Sequence, residues 1–266
     1  MASDVDAIRR GFDDFAEVFD RTRPVCPPAL FDDLLTVAGL QPGIRVLEIG
    51  CGTGQATLPL AERGVHITAV ELGAQLAARA RQRLDRFPFV EVVTSTFEEW
   101  QPDRRPFAAV AAFNALHWVA PDVRYSKPAA ILTPGGALVV AGCHWAQPAD
   151  AEPFWREVQT DYQAVGYPGI PPPLPEEILP WHLPLEALAY FDEVLARCYP
   201  PYQVVYAAED YLGMLASQSG TRALAPERRR EFLERVRARL RASPRLTATF
   251  VGYLTVGRRK AATTVR

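Results

Sequence analysis

The sequence predicts an α/β protein built on a doubly wound, mostly parallel sheet, with a helical cap before the sheet and an insertion after its fifth strand. Three observations carry this reading. Between residues 44 and 142, short apolar runs alternate with helix-length stretches, the pattern of βαβ units on a parallel sheet. A loop containing Gly50, Gly52 and Gly54 follows the first run, at the strand-to-helix turn where open α/β sheets bind ligands. Pro134-Gly135-Gly136 then leads into a fifth run, residues 137–142.

The elements follow in chain order. Val5, Ile8, Phe12, Phe15, Val18 and Phe19 recur at helical spacing over residues 5–20. Pro24, Pro27 and Pro28 break that helix, and a second runs from about 28 to 38, where Gly39 ends it. Strands are expected at 44–49, 66–70, 89–93, 108–113 and 137–142. Helices lie between them from 57, over 74–84 and from about 123 to 132.

The segment 143–200 breaks the rhythm. A helical stretch near 152–165 precedes Pro168, Pro171, Pro172, Pro173, Pro175, Pro180 and Pro184. That density excludes regular helix or central strand and predicts a stiff, extended excursion. Its aromatics, Phe154, Trp155, Tyr162, Tyr167, Trp181, Tyr190, Phe191 and Tyr199, suit an apolar substrate lid, the reading its position in the chain favours, or else an extra packing layer or a dimer contact. A strand at 202–206, helices at 209–217 and 226–240 and a last strand at 247–256 follow. The expected division is a cap (1–40), a core (41–142), an insertion (143–200) and a segment completing the sheet (201–266).

A formal net charge of −2 gives no global attraction to nucleic acid or to anionic membranes. No run approaches 18 apolar residues. Cys26, Cys51, Cys143 and Cys198 are far apart and show no paired or metal-ligand spacing. Free thiols and an acidic N-terminus without an apolar leader point to a cytoplasmic protein with no metal. The arginines between 228 and 241 interleave with Glu227, Glu231 and Glu234 at helix ion-pair spacing, so a solvated face is expected there rather than a nucleic-acid site.

The glycine loop carries the chemistry. Residues 46–57 read Val-Leu-Glu-Ile-Gly-Cys-Gly-Thr-Gly-Gln-Ala-Thr. Glycines let the backbone turn sharply and approach a ligand closely. The dinucleotide spacing G-x-G-x-x-G is not met from either Gly50 or Gly52. Glu48, just before the loop, opposes a phosphate and suits an amino group or a sulfonium. Glu71 closes the next strand, where a carboxylate can accept both hydroxyls of a ribose. Ribose, positive charge and no phosphate describe S-adenosylmethionine (SAM).

Residues 46–57 resemble motif I of class I SAM-dependent methyltransferases, and Val70-Glu71-Leu72 is similar to their ribose-binding strand end. Residues 132–138 resemble the segment leading into their fifth strand. Arg23-Pro24-Val25-Cys26-Pro27 and Leu116-His117-Trp118-Val119 look like segments of the small-molecule, trans-aconitate-type (type 11-like) branch. The resemblance implies a seven-stranded sheet with an antiparallel final strand. It implies that Glu48, Gly50, Gly52 and Gly54 line the methionine end, with Glu71 on the ribose and Leu72 on the adenine. Arg23 would reach the methionine carboxylate, and Cys51, Thr96, Phe97 and Asn114 complete the cofactor set. Thr96 stands where most relatives carry an Asp for the adenine amino group, Cys26 replaces a Tyr, and Ala108 replaces a frequent Asp.

Methyl transfer is an in-line displacement, so alignment and exclusion of water dominate and no obligatory catalytic signature is needed. His117 and His144 are the acceptor-side candidates, as a base or a hydrogen-bonding group. For His117 the competing reading, which we prefer, is packing with Trp118 at the start of a helix; His144 divides evenly between the two. Asn114 is not followed by the Pro-Pro-aromatic of amino-methylating nucleic-acid enzymes. The expected acceptor is a small, partly apolar molecule, and the protein is expected to be a monomer or homodimer. Two other readings stand beside this one: a SAM-fold protein that binds cofactor without methyl transfer, for ligand binding or cyclisation, and a nicotinamide oxidoreductase.

Overall fold

The computed structural model describes Arg9 and residues 11–167 and 171–261. Val5, Ile8, the acidic stretch at 1–6 and Pro168 lie outside the described residues. Among the described residues eight strands form in chain order: β1 Arg45–Ile49, β2 His66–Glu71, β3 Val90–Thr94, β4 Phe107–Phe113, β5 Leu132–Ala146, β6 Phe191–Cys198, β7 Tyr202–Ala207 and β8 Arg245–Arg259.

The chain folds as two compact units. A sheet unit comprises Val25–Cys143, Leu179–Tyr199 and the residues from Gly252 onward. A helical unit comprises the residues up to Pro24, with His144–Ile178 and Pro200–Val251. The units exchange at 24/25, 143/144, 178/179, 199/200 and 251/252, beside the expected borders at 40/41, 142/143 and 200/201.

In the sheet the order is β3-β2-β1-β4-β5-β8-β6. The pairs β1–β2, β1–β4, β2–β3 and β4–β5 are parallel, and β6 runs antiparallel to β8. Strand order reverses between β1 and β4, the place where such sheets bind ligands outside their carboxyl ends. The doubly wound, mostly parallel α/β architecture is thus as the sequence predicts. The strand count is not: β7 pairs antiparallel with residues 245–250 of β8, making eight strands rather than seven.

Two corrections concern the segment 143–200. Strand β5 continues to Ala146, and Phe191–Cys198 is an edge strand of the sheet. The prolines that exclude strand stop at Pro184, and the short helix Leu185–Leu188 turns the chain back into β6.

Strands buried on both faces alternate their side chains between two layers. Val46, Ala109 and Val139 pack with Leu30, Phe31, Leu34, Leu60 and Leu84 on one face. Leu47, Ile49, Val110 and Leu138 pack with Phe97, Trp100, Phe107, Leu116 and Phe191 on the other. Helix Pro28–Ala38 forms as expected, with proline in its first turn and Gly39 at φ 69° ending it. The described part of the first predicted helix is a short 3-10 turn, Asp13–Phe15, followed by helix Ala16–Thr22.

The helical unit has its own core. Trp155 packs edge-on to Tyr211 at 5.4 Å, and Trp145 lies 4.6 Å from Phe250. Tyr162 and Tyr167 pack on Phe232 of helix Pro226–Leu240. Phe154, Trp155, Tyr162 and Tyr167 thus pack against Tyr211 and Phe232 within this unit. On helix Pro226–Leu240, Phe232, Val236 and Leu240 are buried, and Arg235 pairs with Glu231 at 2.9 Å. No helix of the described residues is long and apolar enough to cross a membrane.

Candidate cofactor site

Glu48 lies in the middle of the sheet, 1% exposed. Its register neighbours are Ala69 on β2 and Ala111 on β4, and these small side chains leave space beside the carboxyl. Its Oε2 has no hydrogen-bond partner. Burial pushes its pKa up to about 7; the Thr57 hydroxyl, close by but outside hydrogen-bonding geometry, opposes the rise and Glu71 adds to it. Thr53 Oγ1 and Thr57 Oγ1 are buried and without partners as well. Three unmatched polar atoms within ten residues are unusual, because native structures satisfy nearly all such groups. They mark a place prepared for a polar ligand.

The glycines shape that place. Gly50, Gly52 and Gly54 have φ of 68°, 58° and 85°, the left-handed region that side chains resist. A Cβ on Gly50 would stand 2.7 Å from that of Ala115, so β1 leaves the sheet in close contact with the turn after β4. The Gly50 N–H donates to Val70 O at 2.8 Å and that of Gly54 to Cys51 O at 2.9 Å.

Glu71 is held firmly. Gly52 N–H donates to its Oε2 and Gly73 N–H to its Oε1, each at 2.8 Å. Two backbone donors fix the carboxylate plane at the carboxyl end of β2, with Leu72 half-buried beside it. Cys51 is buried between the two acids' loops, and burial, then Glu48 and Glu71, push its thiol pKa up.

Along the carboxyl edge the next strands add further groups. Thr96 Oγ1 accepts from Glu99 N–H at 3.0 Å and donates to Glu99 Oε2 at 2.9 Å. Phe97 is buried and stacked on Trp100. Asn114, at the end of β4, has φ 52°, and its Oδ1 accepts from Cys143 N–H at 3.2 Å. A non-glycine residue in that region is strained, and such strain gathers at functional sites. His117 is solvent-accessible yet hemmed in by the ring of Trp118 at 4.9 Å. Partial desolvation and then the Arg124 guanidinium lower its pKa.

The sheet unit thus brings Glu48, Gly50, Cys51, Gly52, Gly54, Glu71, Leu72, Thr96, Phe97, Asn114 and His117 to the carboxyl edge of four adjacent strands. Arg23 and His144 belong to the helical unit. Arg23 stacks 4.6 Å over Phe19, its Nε has no partner, and burial pushes its pKa down to about 10. Burial also lowers the pKa of His144.

Sequence reasoning missed several features. Thr53 and Thr57 stand inside the quoted loop, so their hydroxyls were legible as polar lining. Cys26 Sγ and Cys143 Sγ are 3.5 Å apart; at a separation of 117 residues only the fold shows the pair. Among the described residues no group of three or more His, Cys, Asp or Glu could hold a metal ion.

A mostly parallel sheet with an acid, a glycine loop and a second acid at its switch point defines a doubly wound α/β domain whose strand ends are arranged as in ligand-binding sheets. Comparison with known proteins narrows the class: residues 46–136 match the methyltransferase-domain family. An uncharacterised methyltransferase of Mycobacterium tuberculosis is 36% identical over 45% of this chain and 46% of its own length. Demethylmenaquinone methyltransferase of Tropheryma whipplei is 29% identical over 56% of this chain and 64% of its own. The chain spans about half the length of the curated relatives it matches. A protein described as a type II methyltransferase of Anaeromyxobacter dehalogenans has the same fold: its TM-score is 0.62 at 24% identity, over 89% of this chain and 97% of that one.

Proposed function

We propose that this protein binds SAM at the carboxyl edge of β1 to β4 and transfers its methyl group to a small, partly apolar acceptor in the cytoplasm. The observation that carries the reading is the set of unmatched buried oxygens on Glu48, Thr53 and Thr57, facing a loop of left-handed glycines and completed by Glu71. The residues fit the cofactor chemically. Glu48 offers a carboxyl that gains by meeting a cation, Glu71 presents an oriented carboxylate to ribose hydroxyls, and neither acid tolerates a phosphate, which disfavours a nicotinamide dinucleotide.

SAM, when bound, supplies a methyl group already activated by its sulfonium. The chain's own residues orient and shield. Leu72 and the Thr96–Phe97 edge flank the adenine. His117, whose pKa desolvation and then Arg124 lower, is able to accept a hydrogen bond or a proton from the acceptor.

The test is turnover. Incubation with methyl-labelled SAM and a mixture of small metabolites is expected to release S-adenosylhomocysteine and to label compounds far smaller than protein or nucleic acid. Label appearing only in macromolecules contradicts the acceptor class, and cofactor binding without any S-adenosylhomocysteine contradicts methyl transfer.

A further inference from the structure

Residues 96–100, after β3, form a single helical turn: Trp100 N–H donates to Thr96 O at 2.9 Å. The last carbonyls of such a turn have no partners within it. Here three of them converge on one ammonium. Lys127 Nζ donates to Phe97 O at 2.6 Å and Glu98 O at 3.1 Å, and also to Trp100 O. An ammonium has three donors, and all are spent on this turn. The same nitrogen lies 4.9 Å from the Phe97 ring centroid and 5.8 Å from that of Trp100, within cation–π range.

A second brace joins this turn to the one after β4. Glu98 Oε1 accepts from Ala120 N–H at 2.9 Å. Arg124 donates to Val119 O at 2.7 Å and to His117 O at 3.1 Å. Arg124 and Lys127, one helical turn apart, thus fasten the turn carrying Thr96 and Phe97 and the turn carrying His117. The side chains of Phe97 and Trp100 are already anchored by burial, at 2% and 9% exposure. What Lys127 adds is control of the backbone.

We propose that Lys127 is a positioning residue that fixes the Thr96–Phe97 edge against which the adenine base is read, giving the site its preference for adenine. The inference rests on the proposed function. Thr96 offers a hydroxyl rather than a carboxylate, and that hydroxyl is engaged with Glu99. Recognition of the base therefore depends on where the turn's backbone stands, and Lys127 sets that.

The test is calorimetric titration of the full chain with S-adenosylhomocysteine and with S-inosylhomocysteine, which lacks the adenine amino group. The wild type is expected to prefer the adenine ligand about tenfold. Lys127→Met is expected to raise the Kd for S-adenosylhomocysteine about tenfold and to erase that preference, since charge-assisted hydrogen bonds to the turn are lost. Lys127→Arg is expected to restore part of both. A folded Lys127→Met chain with wild-type Kd and wild-type preference overturns the inference alone. A wild type that binds neither ligand overturns the proposed function and the inference with it. If Lys127→Met and Lys127→Gln both fail to fold, the lysine belongs to the fold and the inference falls.

Discussion

Glu48 sits between Ala69 and Ala111 with an unmatched oxygen, and this sets how the protein answers to pH. Its ordinary pKa of 4.5 rises to about 7 in the folded chain. Below 4.5 both folded and unfolded chains hold the proton. Between 4.5 and 7 the folded chain holds a proton that the unfolded chain has released, so the contribution to stability falls as pH rises through that window. Above 7 the full cost, on the order of 3 kcal/mol, applies. Glu48→Gln is therefore expected to melt higher than wild type at pH 8 and close to it at pH 4, while binding SAM more weakly. Equal melting at pH 8 in the absence of cofactor contradicts this account of the carboxyl. The stability cost and the binding role belong to the same oxygen: a site that waits for a cation is strained until it meets one.

At the scale of elements, the loop after β1 is a joint between strands as well as a ligand cradle. Gly50→Ala places a side chain at φ 68° and a Cβ 2.7 Å from that of Ala115. The left-handed backbone alone costs about 1–2 kcal/mol, and the contact adds to it. The melting temperature is expected to fall by several degrees, and the double change Gly50→Ala with Ala115→Gly should recover only the part owed to the contact. Full stability in Gly50→Ala contradicts the geometry of the loop. The acid–glycine–acid arrangement was legible in the sequence because its chemistry sits in consecutive residues at two strand ends. β6 was not, because the prolines of 171–184 dominate the window before it and the edge strand Phe191–Cys198 fully buries only Phe191. Lys127 was not legible either: it lies 27 to 30 residues from the carbonyls it holds, and only the packing of helix Ser126–Ile131 brings them together.

For the molecule as a whole, the sheet unit carries both the family match at 46–136 and all but two of the candidate site residues. The helical unit carries Arg23, His144 and an aromatic core. The central claim is that the cradle of Glu48, the three glycines and Glu71 holds SAM. Titration calorimetry of the purified full chain at pH 8 with SAM tests it most directly, beside Glu71→Gln. Saturable one-to-one binding with a Kd below about 1 mM is expected, weakened at least tenfold in Glu71→Gln. A folded wild-type chain that shows no saturable heat with SAM at millimolar concentration would contradict it.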